Sequence, residues 1–187
     1  MRLAAGETVT ETRGLVHFGA NDGSVPVVIE LSALLDQGAP LATVVGSGAT
    51  GTALHMTADL ESQARTLFTA GAGDSVVYGW NRLAGSGALD GRPVGVDMLG
   101  EVTYLNGSGP ISGYITFSFA DGSTIGVTMA GAAQASPGGA DTAFTATLGV
   151  VGGTGRYLAA KGTGTFVGSR KAALGTAVSA TFDLKIT

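Results

Sequence analysis

The chain contains no cysteine, which excludes disulfide staples, thiolate nucleophiles and Cys-based zinc sites together. Charge is scarce: Asp, Glu, Lys and Arg make up 13% of the 187 residues, 10 basic against 14 acidic. The basic residues are scattered, so a nucleic-acid-binding face is not expected. Long hydrophobic runs are missing too. No window of about 18 apolar residues occurs, and no membrane insertion is expected. Met1 to Glu11 holds one Arg and no apolar stretch, unlike a secretory signal, so a soluble cytoplasmic protein is the expectation. Histidine is limited to His17 and His55. Neither sits in H-x-E or H-E-x-x-H, so no metal site is expected. Aromatics are few, at 6%.

Glycine, by contrast, is abundant at 32 residues, against ordinary usage of about 7%. Much of it stands in turn pairs. Asp22-Gly23, Asp90-Gly91, Asn106-Gly107 and Asp121-Gly122 each lie between apolar or alternating runs. Asn and Asp tolerate left-handed φ and Gly adopts it freely, so these pairs suit tight hairpins.

The runs between them read as strands: Glu11 to Phe18, Val25 to Leu31, Ser75 to Leu83, Arg92 to Leu105, Ile111 to Phe119, Thr124 to Ala130, Thr142 to Val150, Gly162 to Val167 and Ala177 to Ile186. In the last, Val178, Ala180, Phe182, Leu184 and Ile186 face one way, and Ser179, Thr181, Asp183 and Lys185 the other. Ala58 to Ala70 reads as a helix, with Leu60, Ala64, Leu67 and Phe68 on one face and Gly71 as a C-terminal cap. Ser32 to Gln37 reads as one short turn. The expected fold is all-β, an eight-stranded antiparallel up-and-down barrel over 75–187. Residues 1–74 form an N-terminal extension with a short helix, contributing extra strands or a lid. A sandwich is the alternative.

Two glycine motifs invite a nucleotide reading. Gly46-Ser47-Gly48-Ala49-Thr50-Gly51 matches G-x-G-x-x-G after an apolar run, but the βαβ unit that the fingerprint requires does not follow. Gly152-Gly153-Thr154-Gly155-Arg156-Tyr157 lacks the G-K-[ST] of a phosphate loop and reads as a sharp chain reversal. Asn106-Gly107-Ser108 is formally a glycosylation sequon, better explained by its turn.

The chemistry-bearing residues cluster on the central strands. Tyr78 and Trp80 share one face, Asp97 and Glu101 share a face of the next strand, and Tyr114 lies on the polar face of the one after. Pointing into a lumen, a shielded carboxylate gains a raised pKa suited to acid/base work. Pointing outward, the same residues form an ordinary solvated face. Spacing alone favours the solvated face, since Asp and Glu are usually exposed. On the inward alternative the catalytic set is Asp97, Glu101 and Tyr114, and the substrate-binding set is Tyr78, Trp80, Tyr104 and Phe117. Trp80, the only tryptophan, is expected to line the lumen.

From about Val76 onward the order of motifs resembles the allene oxide cyclase and dirigent barrel superfamily. Leu89-Asp90-Gly91-Arg92-Pro93-Val94-Gly95 resembles the approach to that family's second strand. Phe119-Ala120-Asp121-Gly122-Ser123-Thr124-Ile125 resembles its central hairpin. The Gly152 to Tyr157 block followed by Ala159-Ala160-Lys161-Gly162 resembles its glycine signature, and Ala180-Thr181-Phe182-Asp183-Leu184 its closing strand. The strand aligned with the family's first, Val76-Val77-Tyr78-Gly79-Trp80-Asn81, lacks the aspartate that dirigent members carry there, so their catalytic pattern is not carried over. The resemblance implies an eight-stranded barrel with an apolar lumen, often in a homo-oligomer. It also implies a cofactor-free role in cyclising or isomerising a small lipophilic, unsaturated substrate, as bacterial natural-product cyclases of this barrel do with polyketide intermediates. A carrier barrel without turnover and a structural protein with a packed interior are the alternatives.

Overall fold

The computed structural model describes residues 4–12, 21, 24–38, 52–89, 91–138, 141–171 and 174–187. The chain divides into two compact units, Met1–Val45 and Gly46–Thr187. In the first unit the described residues form turns and irregular chain. The expected strand Val25 to Leu31 is exposed and unpaired. Alternation without a neighbouring strand leaves the backbone ladder unmade, and a lone strand does not persist in water. At Ser32 to Gln37 only Gln37 and Gly38 make a turn. Arg13 to Phe18 with His17, the Asp22-Gly23 pair, and the Gly46 to Gly51 motif lie outside the described residues.

The second unit is a barrel. Its strands are β1 (Thr52–Ala70), β2 (Val76–Leu89), β3 (Arg92–Leu105), β4 (Gly109–Phe119), β5 (Thr124–Ala135), β6 (Asp141–Gly153), β7 (Gly162–Lys171) and β8 (Val178–Ile186). Each pairs antiparallel with the next, and β8 pairs with β1, closing the sheet. Closure leaves no open edge to recruit another chain. Among the described residues the only helices are single 3-10 turns at Ala72–Asp74 and Gly155–Tyr157, and none is long and apolar enough to cross a membrane.

Ala58–Ala70, expected as helix, is the second part of β1. Leu54, Met56, Ala58 and Leu60 are buried at a strict period of two, which is a strand signal. A bulge between Ser62 and Ala64 then shifts the register. After it Leu67, paired with Gly79, takes the inward side, while Phe68 pairs with exposed Tyr78. Leu60 and Leu67 therefore stand seven residues apart on one face, which mimics two helical turns.

The turn pairs within the described residues hold. Asn106 and Gly107 both have positive φ, 51° and 80°, the two-residue turn that matches strand twist. Leu105 and Ser108 exchange backbone hydrogen bonds across it at 2.8 and 3.2 Å. Asp121 accepts hydrogen bonds from the Ser123 backbone amide (3.1 Å) and hydroxyl (2.6 Å), holding the β4–β5 turn.

The middle of the lumen is filled. Phe117 meets Phe182 edge-on at 5.1 Å between centroids, and Phe166 stacks on Phe182 at 5.3 Å. Met56, Leu60, Ile115, Ile125 and Val127 complete this plug. Each such side chain stabilises the fold by about 1.5–3 kcal/mol relative to exposure. The up-and-down order places residues 71–75, 106–108, 136–138 and 174–177 at one end, here the upper mouth. The other connections and the β8 terminus lie at the lower mouth.

Candidate functional site

Alternation along each strand decides which side chains reach the interior. On β2, Gly79, Asn81 and Leu83 are buried, so Tyr78 and Trp80 fall on the outer face; Trp80 is 41% exposed. It does not line the lumen, because the inward phase belongs to its neighbours. On β3, Val94, Val96, Met98, Gly100, Val102 and Tyr104 point inward. Asp97 and Glu101 therefore point outward, and Tyr114 on β4, 63% exposed, joins them there. Leu99 pairs with Tyr114 and Trp80 with Glu101 across the strands, so these residues do meet, on the outside of the barrel. Of the seven expected site residues, Tyr104 and Phe117 face inward, and Phe117 belongs to the central plug.

Asp97 has a specific partner there. Arg82 Nε donates to both of its carboxylate oxygens, at 3.0 and 3.2 Å, and Nη2 to Oδ2 at 2.5 Å. The Arg82 hydrogen bonds hold the Asp97 carboxyl below its ordinary value, the opposite of what a general acid at neutral pH requires.

The upper mouth gathers a different set. Ser62 of β1, Asn81 of β2, Tyr104 of β3, Thr142 of β6 and Arg170 of β7 all sit on inward positions at this end. The Ser62 hydroxyl donates to Asn81 Oδ1 at 2.6 Å. Arg170 pairs across the strands with Thr142 on one side and Val178 on the other. Its Nη2 donates to Thr142 Oγ1 at 2.9 Å, and its guanidinium lies 5.6 Å from the Phe144 ring centroid. Arg170 is only 8% exposed, and its buried Nε has no hydrogen-bond partner among the described residues. A buried donor left unmade costs about 1–3 kcal/mol. Burial pulls the Arg170 guanidinium down from its ordinary value, while the nearby Tyr104 opposes that shift. Burial pushes the Tyr104 phenol up, so it stays protonated and able to donate.

Below these groups lies a cavity of about 50 Å³, bounded by Leu83, Met98, Gly100, Val102, Ile111, Met129, Phe144 and Phe166 and roofed by Leu174–Thr176. That is room for a few water-sized groups. Gly100 helps to open it, because the absent side chain would point inward toward the Met129 methyl, 3.7 Å from a Cβ position. Met98 and Met129 are unbranched and adaptable, so the cavity can enlarge around an apolar guest.

Arg170 and Asn81 escaped the sequence reading for definable reasons. β7 runs on to Lys171, beyond the expected end at Val167. The signal was a charge in phase with core residues: Phe166, Gly168 and Arg170 all take the buried side.

The lower mouth holds a broader recess of about 990 Å³ over Leu54, Leu89, Val94, Phe119 and Ile186. Two of its charged groups are engaged with each other. Arg156 pairs with Asp121 at 3.4 Å and covers the Phe119 and Tyr157 rings, at 5.1 and 4.9 Å from their centroids. The Gly152 to Tyr157 block is thus a structural clasp. Thr154 Oγ1 accepts from the Thr124 amide at 3.0 Å, and a Cβ at Gly153 would fall 2.4 Å from the Thr124 carbonyl oxygen.

No protein-family model matches the chain, and no curated protein matches it. Among solved structures, the pterocarpan synthase dirigent protein GePTS1 is similar over 82% of this chain and 98% of its own, at 13% identity and a TM-score of 0.46. The conserved protein of unknown function RPA1785 from Rhodopseudomonas palustris is similar over 74% of this chain and 99% of its own, at 13% identity and a TM-score of 0.43.

Proposed function

We propose that the barrel takes up a small lipophilic, unsaturated molecule through its upper mouth and promotes its cyclisation or isomerisation without a cofactor. The observation that carries this reading is the pairing of an apolar cavity with hydrogen-bond donors that the protein does not fully use, above all Arg170 Nε. An apolar body fits among Leu83, Met98, Met129 and Phe144. A carbonyl or epoxide oxygen at its end meets Arg170, Tyr104 and Asn81. Donors fixed beforehand in a dry site stabilise charge that builds on such an oxygen. Holding one folded conformer removes rotational freedom, which is worth several kcal/mol and up to roughly 7–11 in model reactions. The sequence resemblance to cyclising barrels agrees with this role.

A second reading, a carrier without turnover, has an observation of its own. Among the described residues, the polar side chains facing the cavity are donors and hydroxyls, and no carboxylate or imidazole joins them; Asp97 and Glu101 point outward. Such a set binds and polarises but offers no strong base to remove a proton.

One experiment separates the two. Linear polyenes, fatty epoxides, tetronates and phenolics are screened by thermal shift, and each binder is incubated and analysed by mass spectrometry and chromatography. Conversion to an isomer of unchanged mass, slowed about 10²-fold or more by Tyr104→Phe or Arg170→Met, supports the catalyst. Return of every binder unchanged supports the carrier. If no compound raises the melting temperature, neither reading stands.

A further inference from the structure

The cation at the upper mouth says more about the ligand than that it is lipophilic. We infer that the molecule bound there is an anion, with a carboxylate or enolate oxyanion on Arg170 and an apolar body in the cavity beneath. This rests on the reading of the upper mouth as the binding site and narrows its ligand.

The argument starts from charge. A guanidinium stays protonated throughout the working pH range, and burying it without a counter-ion is costly. The groups around Arg170 from every packed element are neutral: Thr142 on β6, Val178 on β8, Phe144 beneath, Tyr104 and Asn81 across the mouth. Glu101 adjoins the cavity wall, but it stands between inward Gly100 and Val102, so its side chain points out. A second cation leans over the same opening. Arg65 on β1, paired with Asn81 of β2, donates from Nη1 to the Leu174 carbonyl at 3.4 Å. Among the described residues of the connections at this end, 71–75, 106–108, 136–138 and 174–177, the one acidic residue is Asp74, and Asp141 at the start of β6 is held by Lys171 at 2.6 Å. The mouth is therefore a positive rim over an apolar floor. Of the three nitrogens of its buried cation, Nη2 donates to Thr142 and Nε has no partner among the described residues.

The geometry of the free groups also suits an oxyanion. The cavity is lined by N–H and O–H donors from three strands, Asn81 on β2, Tyr104 on β3 and Arg170 on β7. A neutral carbonyl would use one or two of them, whereas a carboxylate or enolate offers more lone pairs and the missing charge.

The test compares ligands of one shape and different charge. Calorimetric titration of the full chain with cinnamate, cinnamamide, acetate and the enolate of a cyclic 1,3-diketone, with the diketone's neutral enol ether as its control, is expected to show each anion binding roughly 10–100-fold tighter than its neutral counterpart. The two anionic arms tell carboxylate from enolate. Acetate, lacking the apolar body, is expected to bind weakly. Arg170→Met should erase the preference for charge while cinnamamide binding persists. Arg170→Lys, which keeps the charge, covers the case in which the methionine variant does not fold, and should retain part of the preference. Equal affinity for cinnamate and cinnamamide overturns the anion while the binding site stands. Binding of acetate as tight as cinnamate also overturns it, because the apolar floor then plays no part. If none of the ligands binds, the upper mouth is not a binding site and both readings fail.

Discussion

Arg170 is a residue whose burial carries a cost in stability. Its guanidinium is buried with Nε unpartnered among the described residues, and its neighbour Thr142 is more deeply buried still. Removing one partner alone would strand the other, whereas replacing both with apolar groups of similar shape removes the desolvation cost outright. The double variant Arg170→Met, Thr142→Val is therefore expected to be more stable than the natural chain by about 1–3 kcal/mol, read from urea midpoints. A loss of similar size would mean that Arg170 is fully satisfied in solution. Asp97 gives the contrasting case on the outer face. Its folded pKa is lowered from 3.8, mainly by the Arg82 hydrogen bonds. Its contribution is present above that ordinary value and lost as pH falls through the lower folded one. Because both side chains are about half exposed, the effect is small, under about 1 kcal/mol. Asp97→Asn should be slightly less stable than wild type at pH 7, with the gap closing in titrations below about pH 3.8. A gap that persisted or widened in acid would show that the ion pair is not its source.

At the scale of the element, glycines that look alike in sequence do different work. Gly107 has φ 80° in the β3–β4 turn, and a Cβ there would lie 3.2 Å from Ala135 Cβ. Gly100 sits in ordinary extended backbone, where a Cβ would meet nothing nearer than 3.7 Å. Gly107→Ala is expected to cost about 1–2 kcal/mol, and Gly100→Ala to be neutral or mildly stabilising, measured as shifts in the unfolding midpoint. Equal costs would contradict the assigned turn. The same contrast explains what could be read in advance. The strands from Arg92 to Ile186 were legible because they keep one parity over their expected spans: Val94 to Tyr104 and Val178 to Ile186 never change side, and the bulge of β6 falls after Val150, past its expected end. β1 was not, because its bulge changes parity in mid-strand and leaves helix-like spacing. Parity also governed the site. Polar residues at Asp97, Glu101 and Tyr114 drew attention as a cluster, yet a cluster of polar side chains on one parity is what a solvated face produces. The informative residues, Asn81, Tyr104 and Arg170, were polar ones in phase with Leu83, Val102 and Phe166.

For the whole molecule, closure is the decisive property, and it depends on β1. β1 pairs with β2 over Thr57 to Ala70 and with β8 over Thr52 to Leu60. Without it, β2 and β8 become edges with unpaired backbone groups, and the plug loses Met56 and Leu60, both almost fully buried. Exposed, hydrophobic strand edges associate with one another. Every strand pairing of the barrel, in contrast, falls between Thr52 and Ile186. Two deletions therefore have opposite expected outcomes. A chain starting at Gly46 should keep a cooperative thermal transition and the β-sheet circular dichroism of the full protein. A chain starting at Ser75 should aggregate or unfold without cooperativity, since losing a closing strand removes two ladders and part of the core together. The upper mouth would fail with it, because Ser62 and Arg65 come from β1 while Asn81 stands on the strand it supports. If the shorter chain instead folded and bound the same ligands as the longer, the barrel would have to close by pairing β2 directly with β8, and the mouth would be built from seven strands rather than eight.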